Sequence, residues 1–294
     1  MQTNIELAQN WRDYALLDAG AGGKLERWGK VTVVRPDPQA IWPRTLKAEW
    51  DSADMVYHRS KSGGGVWEVR RPGTPEAWTI GYDALRFHIR PTGFKHMGLF
   101  PEQAVNWRWM QAQIKKAPHE VRVLNLFAYT GGATVACLQA GARVVHIDAA
   151  KGMNQWARDN AVLSGLGDAP HRVLTDDVMK FVLREGRRGN RYDAIIMDPP
   201  VFGRGPGGEM WKLEDKLYEL VNACVALLSD TPLFLLVNAY TAGYAPTVYG
   251  NVLNAVLARK KDLPAAVITT GEIGLPAQTG AILPCGMYAR MCFA

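Results

Sequence analysis

The sequence predicts an α/β fold: a doubly wound, mostly parallel sheet of seven strands with an antiparallel edge, preceded by a small β-rich region. From residue 121 onward, short apolar runs alternate with segments of helical periodicity, which is typical of a parallel sheet covered on both faces. The last two strand candidates, 265–270 and 287–293, have no helix between them, which indicates an antiparallel edge. Before residue 95, the strand candidates are short and separated by proline and glycine.

The change in texture near residue 95 predicts two domains, a β-rich domain over 1–95 and an α/β domain over 96–294. Six of the ten tryptophans fall in the first domain. We expect them to fill a small core that needs bulky side chains, rather than to act as base-stacking platforms. The strand candidates of this domain, which we expect to form an antiparallel sheet, are 31–34, 55–58, 66–69 and 85–89.

Composition indicates a globular protein and excludes several classes of function. The 294 residues are 48% hydrophobic and carry a formal net charge of +6, which suits a polyanionic partner without requiring one. The four cysteines have no CxxC spacing, so we expect neither a zinc site nor a disulfide framework, and a cytoplasmic location. The N-terminus lacks a signal-peptide pattern and no apolar run is long enough to span a bilayer, so we expect no membrane partner.

The stretch from 121 to 132 predicts a nucleotide cradle. An apolar strand at 121–126 leads into a turn that contains Gly131 and Gly132, and an alanine-rich helix follows. The glycines let the main chain turn sharply and approach a ligand closely. A second strand, 144–148, ends in Asp148 about sixteen residues later, which is the spacing of a βαβ unit whose acid accepts hydrogen bonds from ribose hydroxyls.

Acids also follow the next two strands. Strand 172–174 leads to Asp176 and Asp177, and we expect Asp177 to accept a hydrogen bond from an adenine amino group. Either acid could instead cap the following helix, an alternative that stays open above all for Asp176. The carboxyl ends of parallel strands meet at one edge of a sheet. The glycine turn, Asp148, Asp177 and Asp198 together therefore predict an adenosine site.

The sharpest functional signal is the run Asp198-Pro199-Pro200-Val201-Phe202 after the fourth strand of the sheet. Prolines cannot donate backbone hydrogen bonds and fix φ, so they end the strand and leave rigid, outward carbonyls. The Asp198 carboxylate and the Pro199 carbonyl can then accept from one planar amino group, while Phe202 stacks on the ring that carries it. This pattern predicts transfer to a base nitrogen by orientation, without a covalent intermediate. The alternative is a proline-terminated strand with Phe202 in the core.

These motifs resemble one family. The run 124–132, the acid Asp148 and the run 198–202 are similar to class I S-adenosylmethionine-dependent methyltransferases. More narrowly, they resemble the bacterial large-subunit ribosomal RNA methyltransferases that make cytosine-5 and guanine-7 products. The similarity covers residues 95–294. It implies S-adenosylmethionine as the cofactor, a base in ribosomal RNA as the acceptor, and RNA as the partner.

The resemblance also implies contacts to the methyl donor from Phe100 and Gln103, which lie in the segment before the first strand of the sheet. With these two, the predicted cofactor-binding residues are Phe100, Gln103, Phe127, Ala128, Tyr129, Thr130, Gly131, Gly132, Asp148, Ala149 and Asp177. The predicted catalytic residues are Asp198, Pro199, Pro200 and Phe202, and no metal is expected.

The cysteines favour methylation at nitrogen. Relatives that methylate cytosine C5 use a cysteine after the fifth strand, where this chain has Val-Asn-Ala-Tyr at 237–240. Cys137 and Cys224 are expected in the core, and Cys285, in a turn before the last strand, is the candidate nucleophile left open. Without a thiolate nearby, C5 chemistry is disfavoured.

Two other functions stay open from the residues alone. Asp148 would serve the ribose of NAD equally well, so an NAD-dependent oxidoreductase is one alternative, although the double proline and the closing strand pair disfavour it. The other alternative is a non-catalytic RNA-binding module with a vestigial cofactor pocket. If RNA is the partner, basic residues around the fourth strand could contact its phosphates, namely Arg184, Arg187, Arg188, Arg191 and Arg204.

Overall fold

The computed structural model describes residues 5–60, 64–240, 243–260 and 262–293. These residues form two compact units, one of residues 106–272 and 286–293 and the other of residues 5–105 and 273–285. The segment 273–285 lies far along the chain from the rest of its unit, which no local sequence pattern indicates. No helix in the described ranges is long and apolar enough to cross a bilayer.

The unit that holds the N-terminal region is built mainly from short strands. Its elements are β1 (Ile5–Leu7), β2 (Tyr14–Gly20), β3 (Gly23–Trp28), β4 (Val31–Pro36), α1 (Lys47–Asp51), β5 (Met55–Arg59), β6 (Gly65–Val69), β7 (Trp78–Tyr82) and β8 (Leu85–Ile89). Strands β2 to β6 form a five-stranded sheet in chain order, and β7 pairs with β8. The expectation of an antiparallel sheet is wrong at one pair: β4 and β5 run parallel, because α1 crosses over between them.

The tryptophans of this unit contribute to its core, as expected. Trp28 and Trp50 are buried, and the other four are half-buried. The Trp50 indole donates a 2.9 Å hydrogen bond to Asp18, which also accepts from the backbone of residues 45 and 46. A buried indole therefore keeps a polar partner while its rings fill the core.

A buried ion pair lies inside the same unit. Arg35 donates two 2.6 Å hydrogen bonds to the carboxylate of Glu26, and the Tyr14 hydroxyl donates a third at 2.8 Å. Burial by itself would favour the neutral acid, but Arg35 and Lys24 hold the pKa of Glu26 below its usual range. Glu26 is completely buried, so its charge depends on these partners.

Beyond β8 the chain alternates helices and strands, most of which belong to the unit of residues 106–272 and 286–293. After a 3-10 turn at Pro101–Gln103, the remaining elements are α2 (Ala104–Lys116), β9 (Arg122–Leu126), α3 (Gly132–Gln139), β10 (Arg143–Asp148), α4 (Lys151–Leu163), β11 (His171–Thr175), α5 (Val178–Arg187), β12 (Ala194–Met197), β13 (Phe202–Arg204), β14 (Met210–Lys212), α6 (Leu213–Val225), β15 (Phe234–Ala239), α7 (Pro246–Leu257), β16 (Ala266–Pro276) and β17 (Ile282–Phe293).

The large sheet confirms the predicted fold class. Its strand order is β1-β16-β17-β15-β12-β9-β10-β11, so β1 adds an eighth strand at the edge. Strands β15, β12, β9, β10 and β11 are parallel to their neighbours, and β17 runs antiparallel to β15. The chain moves outward from β9 to β11 and then returns to the other side of β9. This reversal creates a switch point between β9 and β12, where open sheets of this kind bind ligands.

The two faces of this sheet differ in polarity. Leu124, Leu126 and Ile147 belong to an apolar cluster that also includes residues of α5, α6 and α7. The alternate positions Asn125 and His146 point to the opposite face, where they contact α3. One face is therefore a continuous apolar core, whereas the other contains a buried polar layer.

The buried ion pair gives a stability prediction. We expect Arg35→Met to lower the free energy of unfolding by about 3–5 kcal/mol, because it leaves the Glu26 carboxylate buried without its main counter-charge. Urea unfolding followed by tryptophan fluorescence measures the loss. Lys216→Met removes an exposed pair with Glu219 on α6 and is the control, with an expected loss below about 1 kcal/mol. Equal losses in the two variants would contradict the prediction.

Candidate active site

The turn after β9 lies at the switch point of the sheet and has an unusual backbone. Phe127 and Tyr129 have φ values of 54° and 50°, and Gly131 has a φ of 83°. Residues other than glycine rarely adopt this left-handed backbone conformation, and those that do adopt it cluster at ligand sites. Alternation of left-handed residues bends the main chain tightly before α3 begins at Gly132.

Gly131 cannot be replaced without displacing a helix. A Cβ atom at this position would lie 2.8 Å from the Cβ of Ala157 on α4. Both the positive φ and the close approach of α4 therefore require glycine here. The glycine that the sequence singled out serves helix packing in addition to the turn.

Asp148, at the end of β10, connects this turn to the start of α4. One carboxylate oxygen accepts from the backbone N–H of Tyr129 at 2.8 Å, and the other accepts from that of Ala150 at 2.9 Å. Burial raises the pKa of Asp148, and the two backbone donors oppose this rise. Ala149 lies between the carboxylate and the helix that follows.

Two buried asparagines of α4 support the turn, and sequence reasoning did not assign a role to either. Asn160 donates to the Thr130 carbonyl at 2.8 Å. Asn154 donates to the Asp148 carbonyl at 3.0 Å and to the Thr175 hydroxyl at 2.8 Å, so it joins the ends of β10 and β11. Polar side chains in the apolar stripe of a helix were the signal that could have identified them.

A second polar group lies beneath the turn. The Asn125 amide donates to the Thr134 hydroxyl at 2.9 Å, and that hydroxyl is 2.9 Å from Nδ1 of His146. Burial lowers the pKa of His146 to about 3, so its imidazole is neutral at physiological pH. These contacts connect the first turn of α3 to β9 and β10 without a buried charge.

The acids after β11 cap and anchor α5. One oxygen of Asp177 accepts from the Lys180 backbone N–H at 2.8 Å, which makes Asp177 the N-cap. Asp176 pairs with Arg184 and accepts from the Asp177 backbone. The helix cap is thus Asp177 rather than Asp176, and the adenine contact of Asp177 stays a prediction. A Cβ at Gly205 would lie 2.8 Å from the second Asp177 oxygen, so the chain after β13 passes close to this carboxylate.

Asp198, at the end of β12, is held by a side chain from the neighbouring strand. The Asn238 amide donates to one Asp198 oxygen at 2.9 Å, and Asn238 lies on β15. Asn106 of α2 donates in turn to the Asn238 carbonyl at 3.4 Å. Arg290 of β17 donates to the Asn106 carbonyl at 2.9 Å. Sequence reasoning assigned no role to these three partners, because they are distant from Asp198 in the chain.

Phe202 is not a core residue, so the alternative of a proline-terminated strand that buries its phenylalanine is wrong. Its side chain is 53% exposed on β13, which forms a hairpin with β14. Trp211 of β14 is buried, donates to the Pro200 carbonyl at 2.6 Å and packs 5.0 Å from the Phe127 ring. The hairpin is therefore anchored to both the double proline and the turn after β9.

Four exposed side chains share the outer face of this hairpin. Phe202 pairs with Lys212 across the strands and Arg204 pairs with Met210, whereas Trp211 and its partner Gly203 point to the other face. The four residues are called the hairpin face below. It combines two large apolar groups with two cations.

The remaining arginines near β12 are partly engaged in ion pairs. Arg184 pairs with Asp176 and Arg188 pairs with Glu185 at 3.3 Å. The charges of Arg184 and Arg188 are therefore locally balanced, whereas the described residues include no ion pair of Arg204 or Lys212.

Burial disfavours the thiolate form of three of the four cysteines. Burial raises the pKa of Cys137 to about 12 and also raises that of Cys224. The pKa of Cys285 is raised by burial as well. Among the described residues, no group of three or more His, Cys, Asp or Glu side chains is arranged to hold a metal ion.

Phe100 and Gln103 also belong to the other unit. Both are half-buried at the 3-10 turn, where the Gln103 backbone N–H donates to the Phe100 carbonyl at 3.0 Å. The structure brings together the turn after β9, Asp148, Asp177 and the run at 198–202 within one unit. The roles of Phe100 and Gln103 stay predictions.

Comparison with known proteins identifies the family. The sequence profile of S-adenosylmethionine-dependent methyltransferases matches residues 51–232, more than half of the chain. The chain belongs to this family. It is a methyltransferase that uses S-adenosylmethionine, as the turn after β9 and the run at 198–202 predicted. Membership decides against the NAD-dependent oxidoreductase and against the non-catalytic RNA-binding module.

Individual relatives agree with this assignment. A methyltransferase structure from Agrobacterium tumefaciens is 35% identical, with a TM-score of 0.92 over 98% of this chain and 93% of that chain. A protein solved in complex with SAH has the same fold, with a TM-score of 0.70 and 16% identity over 96% of this chain and 76% of that chain. Ribosomal RNA large subunit methyltransferase K/L from Pseudomonas aeruginosa is 30% identical over 66% of this chain. The match covers 26% of that relative, about a quarter of its length.

The turn after β9 gives a prediction for cofactor binding. We expect Gly131→Ala to lower the free energy of unfolding by about 2–3 kcal/mol and to weaken S-adenosylmethionine binding at least tenfold, since both φ and α4 oppose the new methyl group. Thermal unfolding and titration calorimetry measure the two effects. Gly152→Ala, on α4, is the control because a Cβ there meets nothing within 4 Å. Similar behaviour of both variants would refute the requirement for glycine at 131.

Proposed function

We propose that this methyltransferase methylates a base nitrogen in RNA, and that the RNA is ribosomal. The observation that carries the proposal is the environment of Asp198. Its carboxylate is held by Asn238 at the carboxyl edge of the sheet, and the double proline leads from it directly into the exposed Phe202. An acid acceptor beside an exposed aromatic ring suits a flat heterocycle that carries an amino group.

The residues of the switch point fit S-adenosylmethionine. We assign the ribose hydroxyls to Asp148, whose two oxygens are already oriented by backbone donors and retain further lone pairs. The adenine amino group is assigned to the second oxygen of Asp177. The left-handed turn from Phe127 to Gly131 brings the main chain to the ligand, with Thr130 held by Asn160. Ala149 is proposed as a further contact, and Phe100 and Gln103 are proposed as donor contacts from the resemblance to the family alone.

The chemistry requires little more than orientation and a proton acceptor. When bound, S-adenosylmethionine supplies a methyl carbon on a cationic sulfur, which keeps the bonding electrons as the acceptor nitrogen forms its new bond. Asp198 accepts the proton that the methylated amino group releases. The Pro199 carbonyl accepts a second hydrogen bond from the amino group. We assign this role to Pro199 rather than to Pro200 because the Pro200 carbonyl already accepts a hydrogen bond from Trp211. Positioning of this kind can supply a large part of a rate enhancement.

The state of the cysteines supports nitrogen rather than cytosine C5 as the methylated atom. C5 chemistry needs a thiolate that attacks the ring, whereas burial raises the pKa of Cys137, Cys224 and Cys285. The stretch 237–240, where the resemblance implies a cysteine in C5 enzymes, instead contains Asn238 near the end of β15, an amide that donates to Asp198.

The hairpin face supports a nucleic-acid acceptor. Phe202 and Met210 offer apolar surfaces on which bases can stack, and Arg204 and Lys212 offer cations to the phosphates. A base inside a duplex would have to leave the stack to reach Phe202. The curated relatives from Pseudomonas aeruginosa and Chromohalobacter salexigens are ribosomal RNA methyltransferases, although the chain spans only about a quarter of their length.

The direct test combines binding and product analysis. Titration calorimetry with S-adenosylmethionine shows whether the donor binds, and transfer of tritiated methyl groups to bacterial ribosomal RNA shows whether RNA is the acceptor. Digestion of the labelled RNA to nucleosides then identifies the methylated atom. Donor binding without transfer to RNA would refute the acceptor. Label on cytosine C5 would refute the nitrogen assignment.

Asp198 gives the first prediction of this proposal. We expect Asp198→Asn to reduce kcat by at least about 100-fold, because the amide cannot take up the proton, while the Kd of S-adenosylmethionine changes less than about threefold. Single-turnover transfer and calorimetry measure the two quantities. Asp168→Asn, at an exposed position, is the control and should leave both unchanged. An equal loss of donor binding in Asp198→Asn would place this carboxylate at the cofactor instead.

The two cations of the hairpin face, Arg204 and Lys212, give the second prediction of this proposal. We expect the double variant Arg204→Gln/Lys212→Gln to weaken RNA binding and to reduce the slope of log Kd against log salt by about 1.4, if each cation contacts one phosphate of a single strand. Fluorescence anisotropy over a salt series measures this slope. Arg143→Gln, at the amino end of β10 on the opposite edge of the sheet, is the matched control. An unchanged slope in the double variant would exclude the hairpin face from RNA contact.

A further inference from the structure

A buried arginine lies at the far end of the side-chain contacts that lead to Asp198. Arg290 of β17 is 4% exposed, and its guanidinium lies between two aromatic rings, 3.7 Å from the centre of the Tyr288 ring and 4.8 Å from that of Trp109. Such stacking stabilises a desolvated guanidinium but leaves its N–H groups in need of acceptors. One of these N–H groups donates to Asn106.

The antiparallel edge of the sheet brings these groups together. Asn238 of β15 is opposite Tyr288 of β17, and Arg290 is opposite Leu236, two positions further along. Directly opposed residues share a face, so Arg290 and Asn238 both point to the face that α2 covers with Asn106 and Trp109. If β17 ran parallel to β15, a different set of side chains would lie on this face near Asp198.

The arginine sets the direction of every hydrogen bond in this series. A guanidinium can only donate, so the Asn106 carbonyl must face Arg290 and the Asn106 NH₂ must face Asn238. The Asn238 carbonyl accepts that bond, which turns the Asn238 NH₂ toward Asp198. A flipped amide at either asparagine would place two donors or two acceptors against each other in a buried site.

We propose that Arg290 and Asn106 are positioning residues for methyl transfer, because they orient the Asn238 amide that holds the Asp198 carboxylate. The inference rests on the proposed role of Asp198 at the acceptor. In this proposal, Arg290 and Asn106 act through Asn238 rather than by contact with the reacting atoms. A carboxylate that is fixed at one oxygen cannot rotate freely, so its geometry toward the amino group is set before the substrate binds.

Asn106→Asp tests the direction of the bonds. The introduced carboxylate still accepts from Arg290, but it cannot donate to Asn238, which then loses its fixed orientation. We expect kcat to fall tenfold to 100-fold while KM for RNA and Kd for S-adenosylmethionine change less than threefold. Gln111→Glu is the matched control, because it makes the same exchange on the same helix. Gln111 donates to the Ala136 carbonyl and to Gln139, away from Asn238.

Arg290 is tested by a pair of variants. Arg290→Lys keeps a cationic donor between the two rings and should retain most of kcat. Arg290→Met keeps the apolar packing without the donor and should resemble Asn106→Asp. Loss of kcat in Arg290→Met, with rescue in Arg290→Lys, supports orientation by hydrogen bonding. Equal losses in both variants, or an effect of Gln111→Glu as large as that of Asn106→Asp, would overturn the proposal.

A spectroscopic measurement separates this proposal from the identity of the acceptor. The side-chain NH₂ resonances of Asn238 in a nitrogen-15 NMR spectrum report its hydrogen bond to Asp198 in the protein without RNA. We expect Asn106→Asp and Arg290→Met to shift these resonances as Asp198→Ala does, and Gln111→Glu to leave them in place. If the wild type methylates no RNA, the RNA assignment fails while this spectrum still tests the orientation. Unshifted resonances in Asn106→Asp would refute it.

Discussion

The hydrogen bonds from two backbone N–H groups to Asp148 are the constraint on which the rest of the site depends. They connect the turn after β9 to the start of α4, and they hold Tyr129 in a conformation that an isolated chain would avoid. Gly131 allows α4 to approach closely enough for this connection. The turn that is proposed to meet the methyl donor is therefore stabilised by the same acid that is proposed to hold the donor's ribose.

The unequal faces of the sheet explain how such a turn is supported. The face that meets α5, α6 and α7 is apolar, and burial of its side chains stabilises the unit. The face that meets α2 and α3 contains Asn125, His146, Asn238 and Arg290, all with polar partners. Buried polar groups add little net stability, but their directional bonds define one geometry. The site lies at the ends of the strands that carry this polar layer.

The acceptor side depends on the hairpin that follows the double proline. Trp211 connects the hairpin to the Pro200 carbonyl and to Phe127, so the proposed stacking surface of Phe202 is fixed relative to the turn after β9. The Agrobacterium tumefaciens methyltransferase shares the fold of this chain over nearly its whole length. The cofactor half of the function follows from this family, whereas the acceptor half rests on the chemistry of Asp198 and the hairpin face.

The sequence by itself determined the alternation of strands and helices, the antiparallel edge, and the acids at the strand ends, because periodicity and short motifs are local properties. It also determined that Gly131 stands where a sharp turn is needed. Only the tertiary structure decided that Asp177 caps α5, that β4 and β5 are parallel, and that Phe202 is exposed. The partners of Asp198 come from α2, β15 and β17, which are distant in the chain. Strand order and register bring these partners to Asp198, and no local sequence pattern encodes strand order or register.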